Sequence, residues 1–356
     1  MALRRLKVGV LGCGRVARLV HLPALARLPC VEVCAVADCD PEAREAAARH
    51  ARGASAHAST GELLERSGAD AVIICLPSAL HAGATISALE AGKHVYLEKP
   101  IATSLEDGRS VVAAWRRSGM VGMVGFNFRL SRLYAAARRH IQAGALGEII
   151  GARTVSANRG ELPGWKRSRA TGGGVLLDLG SHHFDLARFL FGREVARVSA
   201  RTRSVASEAD TASVQFELDG GLTVQSFFSS CAPAEDRFEV FGTAGRLSVD
   251  RHLSLISLEG AGDAAPTRAR KAAALAHSLA RSPHGFSKTL RPAAEPSYRE
   301  ALACFVRAAR EGGQARPDFA DGFHSLASVL AAEESAAAGD GRWVAPARLD
   351  DEDTAG

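Results

Sequence analysis

The amino-acid sequence predicts an α/β protein. Its N-terminal half reads as a doubly wound parallel sheet, and its C-terminal half as an α+β domain with a large, mostly antiparallel open sheet. Three observations carry this. Short β-branched runs alternate with helical patterns at βαβ spacing through the first 125 residues. From about residue 126 onward, longer alternating segments follow one another with hairpin punctuation. The length of 356 residues suits two domains at roughly 100 to 200 residues each.

Taken in order, residues 7–11 form a strand and Gly12 to Leu28 a helix with a break expected near Pro23, because proline lacks the amide hydrogen a helix needs. Residues 31–37 are the next strand. Asp40 followed by Pro41 opens a helix with a capping carboxylate and a proline at the first helical position. The continuous apolar run Ala71 to Leu76 suits a strand buried on both faces. Residues 81–91 form a helix ended by Gly92, and residues 94–97 a strand. Ser104, with Asp107 three residues on, resembles a capping box for a helix reaching Arg117. Residues 121–126 supply the last strand of this half, and the domain boundary falls near Gly125 to Ser131.

Arg132 to Ala143 reads as helix. Alternating strands are expected over 148–158, 196–203, 212–218, 223–228 and 238–241, with Asp219-Gly220-Gly221 as a tight turn between two of them. A helix pair, 297–311 and 321–338, closes the chain. The expected domains are thus 1–125 and 126–345, the second carrying an insertion at about 260–295, followed by an acidic tail, 346–356.

Composition limits the function classes. No apolar run approaches the ~20 residues of a membrane helix, and the N-terminus lacks a signal-peptide pattern, so neither a membrane partner nor export is expected. The seven cysteines are scattered without a Cys-x-x-Cys pair, which predicts reduced thiols in a cytoplasm and no metal site. Lys and Arg exceed Asp and Glu by only 44 to 39, and much of that excess lies between Ala264 and Ala294, where six basic residues meet no acidic one. A solvated loop accounts for it, and no nucleic-acid partner is expected.

Gly12-x-Gly14-x-x-Ala17 follows the first strand and opens a helix. The first glycine permits the turn, the second lets backbone approach a pyrophosphate, and the small third residue lets helix pack on strand. Gly12, Gly14, Arg15 and Val16 are therefore candidate cofactor contacts in a Rossmann unit. Asp38 closes the next strand, 24 residues after Gly14, where a carboxylate accepts hydrogen bonds from ribose hydroxyls. Its charge repels a 2′-phosphate and Cys39 follows it, so NAD is expected over NADP.

Leu76-Pro77-Ser78 with His81, Ala91-Gly92-Lys93-His94 and Glu98-Lys99-Pro100 form a second set, and Gly172-Gly173-Gly174 followed by Asp178, Gly180, His182 and Asp185 a third. With these segments the chain resembles the glucose-fructose oxidoreductase, inositol 2-dehydrogenase and rhizopine catabolism (Gfo/Idh/MocA) family over about residues 5 to 345. The resemblance implies that Leu76, Pro77, Ser78, His81, Glu98 and Lys99 lie at the cofactor. It also implies that Lys99, His182 and Asp178 surround the substrate. His182 then accepts a hydroxyl proton, Lys99 stabilises the alkoxide and Asp178 orients His182. In an α-helix Asp178 and His182 share a face, whereas His183 is turned about 100° away, as a packing residue. Arg129, Trp165 and Lys166 are further substrate candidates.

Together these readings imply an NAD-dependent oxidoreductase of a cyclic polyol, sugar or sugar derivative, as a homodimer or homotetramer. The alternatives are a reductase of a keto-sugar nucleotide and, in another class, a non-catalytic dinucleotide-sensing regulator of the same fold. The regulator has no chemical need for the Lys99, Asp178 and His182 set.

Overall fold

A computed structural model describes residues 4–160, 162–260 and 295–349 of the chain. Residues 261–294, which hold the basic insertion, and residues 350–356 of the acidic tail lie outside the described residues. Contacts divide what is described into two compact units. One comprises residues 4–130 with 295–326 and 349, the other residues 131–260 with 327–348.

In the first unit, β1 (Leu6–Leu11), β2 (Val31–Ala37), β3 (Ser55–His57), β4 (Ala71–Ile74), β5 (His94–Leu97) and β6 (Gly122–Val124) form a parallel sheet in the order β3-β2-β1-β4-β5-β6. That order reverses direction at β1, and ligands of such sheets bind beyond the carboxyl ends of the strands at that point. Leu11 pairs with Ala37 on one side and Ile74 on the other, and Ile74 pairs with Leu97. The register therefore brings the residues that follow β1, β2, β4 and β5 to one sheet edge.

The helices are α1 (Leu22–Leu25), α2 (Pro41–His50), α3 (Thr60–Arg66), α4 (His81–Glu90) and α5 (Leu105–Ser118). Asp40 and Ser104 cap α2 and α5 as expected, accepting from Glu42 N and Asp107 N. The break expected near Pro23 is absent. Residues Ala17–His21 take a π-helical turn and run on into α1, with Leu22 N donating to Ala17 O, five residues back. The widened turn relieves the crowding that Pro23 imposes on the preceding turn of an α-helix.

A second difference concerns α8 (Pro296–Glu311), the first helix of the expected closing pair. Its Leu302, Phe305 and Val306 share one core with Val8, Val10, Ile73 and Tyr96 of the parallel sheet. Amphipathic spacing gave it an apolar face without naming which sheet that face covers.

In the second unit, β7 (Ile149–Arg159), β8 (Val195–Arg203), β9 (Thr211–Leu218), β10 (Leu222–Ser229), β11 (Cys231–Gly242), β12 (Gly245–Asp250) and β13 (Leu255–Gly260) order as β13-β12-β11-β7-β10-β9-β8. Only the β10–β7 pair is parallel. Helices α6 (Arg132–Gln142) and α7 (Ser181–Phe191) pack with one another, α7 setting Phe184 against Phe216 of β9. The expected tight turn at Gly220 and Gly221 joins β9 to β10, both glycines at positive φ. The last helix, α9 (Phe319–Ala338), begins in the first unit and ends in the second. Beyond it, Val344 bridges to Val198, covering part of the β8 edge.

Candidate active site

The glycine loop after β1 is shaped by two contacts. Gly12 sits at φ +86°, and a Cβ there would lie 2.6 Å from Cys75 O, so only glycine lets this loop pass the end of β4. At Gly14 a Cβ would meet nothing within 4 Å. Exposed backbone over an unfilled space, at the start of a helix whose first amides have no intrahelical acceptor, fits an incoming pyrophosphate. Arg15 is exposed and Val16 half-buried beside it.

Asp38 lies where expected, just past β2, and it also organises the loop. Its Oδ2 accepts Cys13 N at 2.7 Å and its Oδ1 accepts Asp40 N at 2.9 Å. Each oxygen keeps a second lone pair, so the carboxylate fits a ribose diol as well. The Cys13 thiol is pushed up to about 12 by burial and by Asp38, and it is inert.

The turns after β4 and β5 are joined through His81. The ring is buried, with Nδ1 2.6 Å from Pro100 O and Nε2 2.8 Å from Leu76 O. Burial pulls this imidazole below its ordinary pKa, against the two carbonyls that favour the charged form. A neutral ring has one N–H to share between two acceptors, and a proton added to it completes both bonds. His81 thus acts inside the protein as a tie between Leu76-Pro77-Ser78 and Glu98-Lys99-Pro100. Ser78 is buried, and Leu76 and Pro77 are half-buried.

Glu98 points inward. It is buried, and its Oε1 lies 2.6 Å from Nε2 of His21, a histidine that sequence reasoning missed. The signal was a titratable residue inside an otherwise apolar helical stretch, Leu19 to Leu25. Lys99, the next residue, is half-buried.

In the second unit a π-helical turn, Leu176–Gly180, precedes α7, with Ser181 N donating to Leu176 O. The α-helical spacing expected between Asp178 and His182 is therefore interrupted by one wider turn. Asp178 forms an ion pair with Lys166 at 2.7 Å, so two residues singled out for different roles meet directly. Lys166 Nζ also lies 5.5 Å from the Trp165 ring centroid. A Cβ on Gly173 would come within 2.3 Å of Lys166 O, so the triple glycine lets this loop seat Lys166 against Asp178. Lys166, Asp178, Glu208 and Asp210 line one cleft of this unit. His182 is buried at 9% exposure, whereas His183 is fully buried against Phe228 and Phe238. Arg129 lies in the first unit, in an ion pair with Asp321 at 3.2 Å.

Residues 6–126 match a family described as an oxidoreductase family with an NAD-binding Rossmann fold, and residues 134–248 match its GFO/IDH/MocA C-terminal domain. A dTDP-3,4-didehydro-2,6-dideoxy-alpha-D-glucose 3-reductase of Streptomyces violaceoruber is 33% identical over 324 residues, 87% of each chain. The chain belongs to the Gfo/Idh/MocA oxidoreductase family. A further relative is the scyllo-inositol 2-dehydrogenase (NAD(+)) of Bacillus subtilis, 32% identical over 212 residues. That match spans 56% of this chain and 61% of the relative, less than two thirds of its length. Among solved structures, the WlbA dehydrogenase from Bordetella pertussis, in complex with NADH and UDP-GlcNAcA, superposes with a TM-score of 0.82. It covers 98% of this chain and 99% of the other at 24% identity, a likeness of fold. The N-terminal unit of this Gfo/Idh/MocA chain is an NAD-binding Rossmann domain.

Proposed function

We propose that the protein transfers hydride between NAD and a hydroxyl or keto carbon of a cyclic polyol, sugar or sugar derivative. The observation that carries this reading is the Glu98-Lys99-Pro100 turn. It lies at the carboxyl edge of the parallel sheet with the glycine loop and is anchored by His21 and His81. Gly12, Gly14, Arg15, Val16 and Asp38 would hold the dinucleotide, with Leu76, Pro77, Ser78 and the Glu98-Lys99-Pro100 turn beyond them. The nicotinamide, when bound, supplies the hydride acceptor or donor at its C4. In the oxidative direction His182 takes the hydroxyl proton and Asp178 orients it. Lys99 hydrogen-bonds the oxygen as negative charge develops there. Trp165, Lys166 and Arg129 are proposed to shape the substrate side, with Lys166 acting through Asp178.

A nicotinamide absorbance assay over inositols, hexoses and nucleotide sugars tests the reading. Turnover of a free polyol or sugar supports it. Turnover confined to nucleotide sugars instead supports the second reading, a keto-sugar nucleotide reductase, which the Streptomyces relative favours. No turnover of any of them, with NADH still bound, supports a dinucleotide-sensing regulator. We place the enzyme in the cytoplasm and expect a homodimer or homotetramer.

The Asp38 carboxylate yields a prediction. Asp38→Asn keeps an acceptor for Cys13 N but loses the charge. NAD affinity is expected to fall about tenfold, the size of a weakened charge-assisted hydrogen bond of roughly 1.5 kcal/mol, while NADP improves relative to NAD. Fluorescence titration with NADH and NADPH checks this, and an unchanged ratio of the two affinities counts against it.

A further inference from the structure

We propose that His21 is a positioning residue for Lys99, acting through Glu98. The inference rests on the hydride-transfer reading above and adds to it a residue from the first helix.

The imidazole of His21 is fully buried, with its edge-on neighbours Tyr96 and Tyr298 at ring-centroid distances of 5.6 and 5.8 Å. Its Nε2 lies 2.6 Å from Glu98 Oε1, and its Nδ1 has no hydrogen-bond partner among the described residues. The ring thus spends its polar capacity on Glu98. The other side of the carboxylate is equally constrained. A Cβ on Gly125 would lie 3.2 Å from Glu98 Oε2 and 3.2 Å from the Tyr96 hydroxyl, so the carboxylate fills a slot that any larger residue at 125 would invade.

A buried carboxylate is expensive, and an apolar pair of similar volume often serves stability as well or better. Its placement next to Lys99 gives the cost a purpose. Burial alone would raise the pKa of Glu98. The His21 hydrogen bond and the charges of His21, Lys99 and His81 outweigh burial and hold it below the ordinary carboxylate value. The other titratable neighbours, the Cys75 thiol and the Tyr96 hydroxyl, are both raised by burial and by the Glu98 charge, so they stay neutral. Glu98 is therefore an anion pinned on one side by His21, while His81 ties the following carbonyl, Pro100 O, to Leu76 O. The backbone on both flanks of Lys99 is thus held by a buried histidine, on one side by His21 through Glu98 and on the other by His81 through Pro100 O.

Two variants separate positioning from bulk packing. His21→Leu fills the space without a donor, and His21→Gln keeps an N–H that can reach Glu98. In the full-length protein with NADH bound, 13C-carboxyl labelling of glutamate, with the Glu98 signal assigned by its loss in Glu98→Gln, reads the titration directly. We expect His21→Leu to raise the pH at which Glu98 titrates and to move the acid limb of kcat upward with it. The same variant should lower kcat about 10- to 100-fold, by analogy with the loss seen when a hydrogen bond that orients a metal-ligating residue is removed. NADH affinity should stay within about threefold, since the glycine loop and Asp38 that would hold the dinucleotide are left in place. His21→Gln should restore most of kcat and the Glu98 titration. An unchanged Glu98 titration in His21→Leu, or Gln as damaging as Leu in a folded protein, overturns the proposal. The NMR result stands apart from turnover, so an enzyme inactive on every sugar tested would overturn the hydride-transfer reading and leave this measurement decisive for His21.

Discussion

Lys99→Ala is expected to lower kcat about 10²- to 10⁴-fold while changing NADH affinity by less than about threefold. The turn that carries Lys99 owes its shape to its neighbours. Glu98 is fixed by His21 and Pro100 O by His81, so removing the Lys99 side chain leaves the cofactor edge of the sheet standing. In the proposed mechanism, what disappears is the cation at the oxygen that gains charge during hydride transfer, an interaction stronger in the transition state than in the ground state. With His182 as the proposed proton acceptor, His182→Ala should fall in the same range. If the two groups act on one proton and one alkoxide, as proposed, the double variant should be little slower than the worse single one. Lys99→Arg keeps the charge but presents a wider planar fork, and it should recover only part of the activity. Steady-state kinetics with NADH fluorescence titration checks all four variants. Turnover within about threefold of the parent in both single variants would sink the assigned roles.

Much of this was legible in the sequence because the first unit's chemistry is local. Gly12 and Gly14 follow a strand and open a helix, and one further strand supplies Asp38, so spacing alone brings these residues to one sheet edge. The caps Asp40 and Ser104 act within three residues of themselves and were equally readable. What escaped is non-local. Ser55–His57 has no β-branched signature and becomes a strand only because Ala35 and Ala37 pair with it. Phe305 carries an apolar face, but nothing near it in sequence says that Tyr96 is its partner at 5.8 Å. His21 and Glu98 are 77 residues apart, and His21 alone reads as one polar interruption in a helix. The Asp178–Lys166 pair shows the same limit at short range. Both residues were noticed, yet their meeting depends on Gly173 lying against Lys166 backbone, a contact no spacing rule contains.

The twin histidines supply the second large effect, on stability. His183 is fully buried, stacked on Phe238 at 6.2 Å and edge-on to Phe228 at 5.3 Å, and neither ring nitrogen finds a hydrogen-bond partner among the described residues. Burial pushes its pKa down to about 4. Arg251 pushes the same way, and the opposing attraction of Asp236 is insufficient. An unfolded histidine titrates near 6.5, so between pH 6.5 and 4 the unfolded chain binds a proton that the folded one refuses. Stability is therefore complete above about pH 6.5 and falls as the pH drops toward 4. At about 1.4 kcal/mol for each pH unit the loss is on the order of 2 to 3 kcal/mol by pH 4.5, a substantial part of a typical folding free energy. His183→Leu removes both the proton and the unpaired N–H from an apolar site of similar volume. It should be at least as stable as the parent at pH 7 and lose less stability by about 2 to 3 kcal/mol on going to pH 4.5. Denaturant unfolding at both pH values measures this. Parallel losses in parent and variant would mean that His183 carries its proton in the folded state, against the burial seen here.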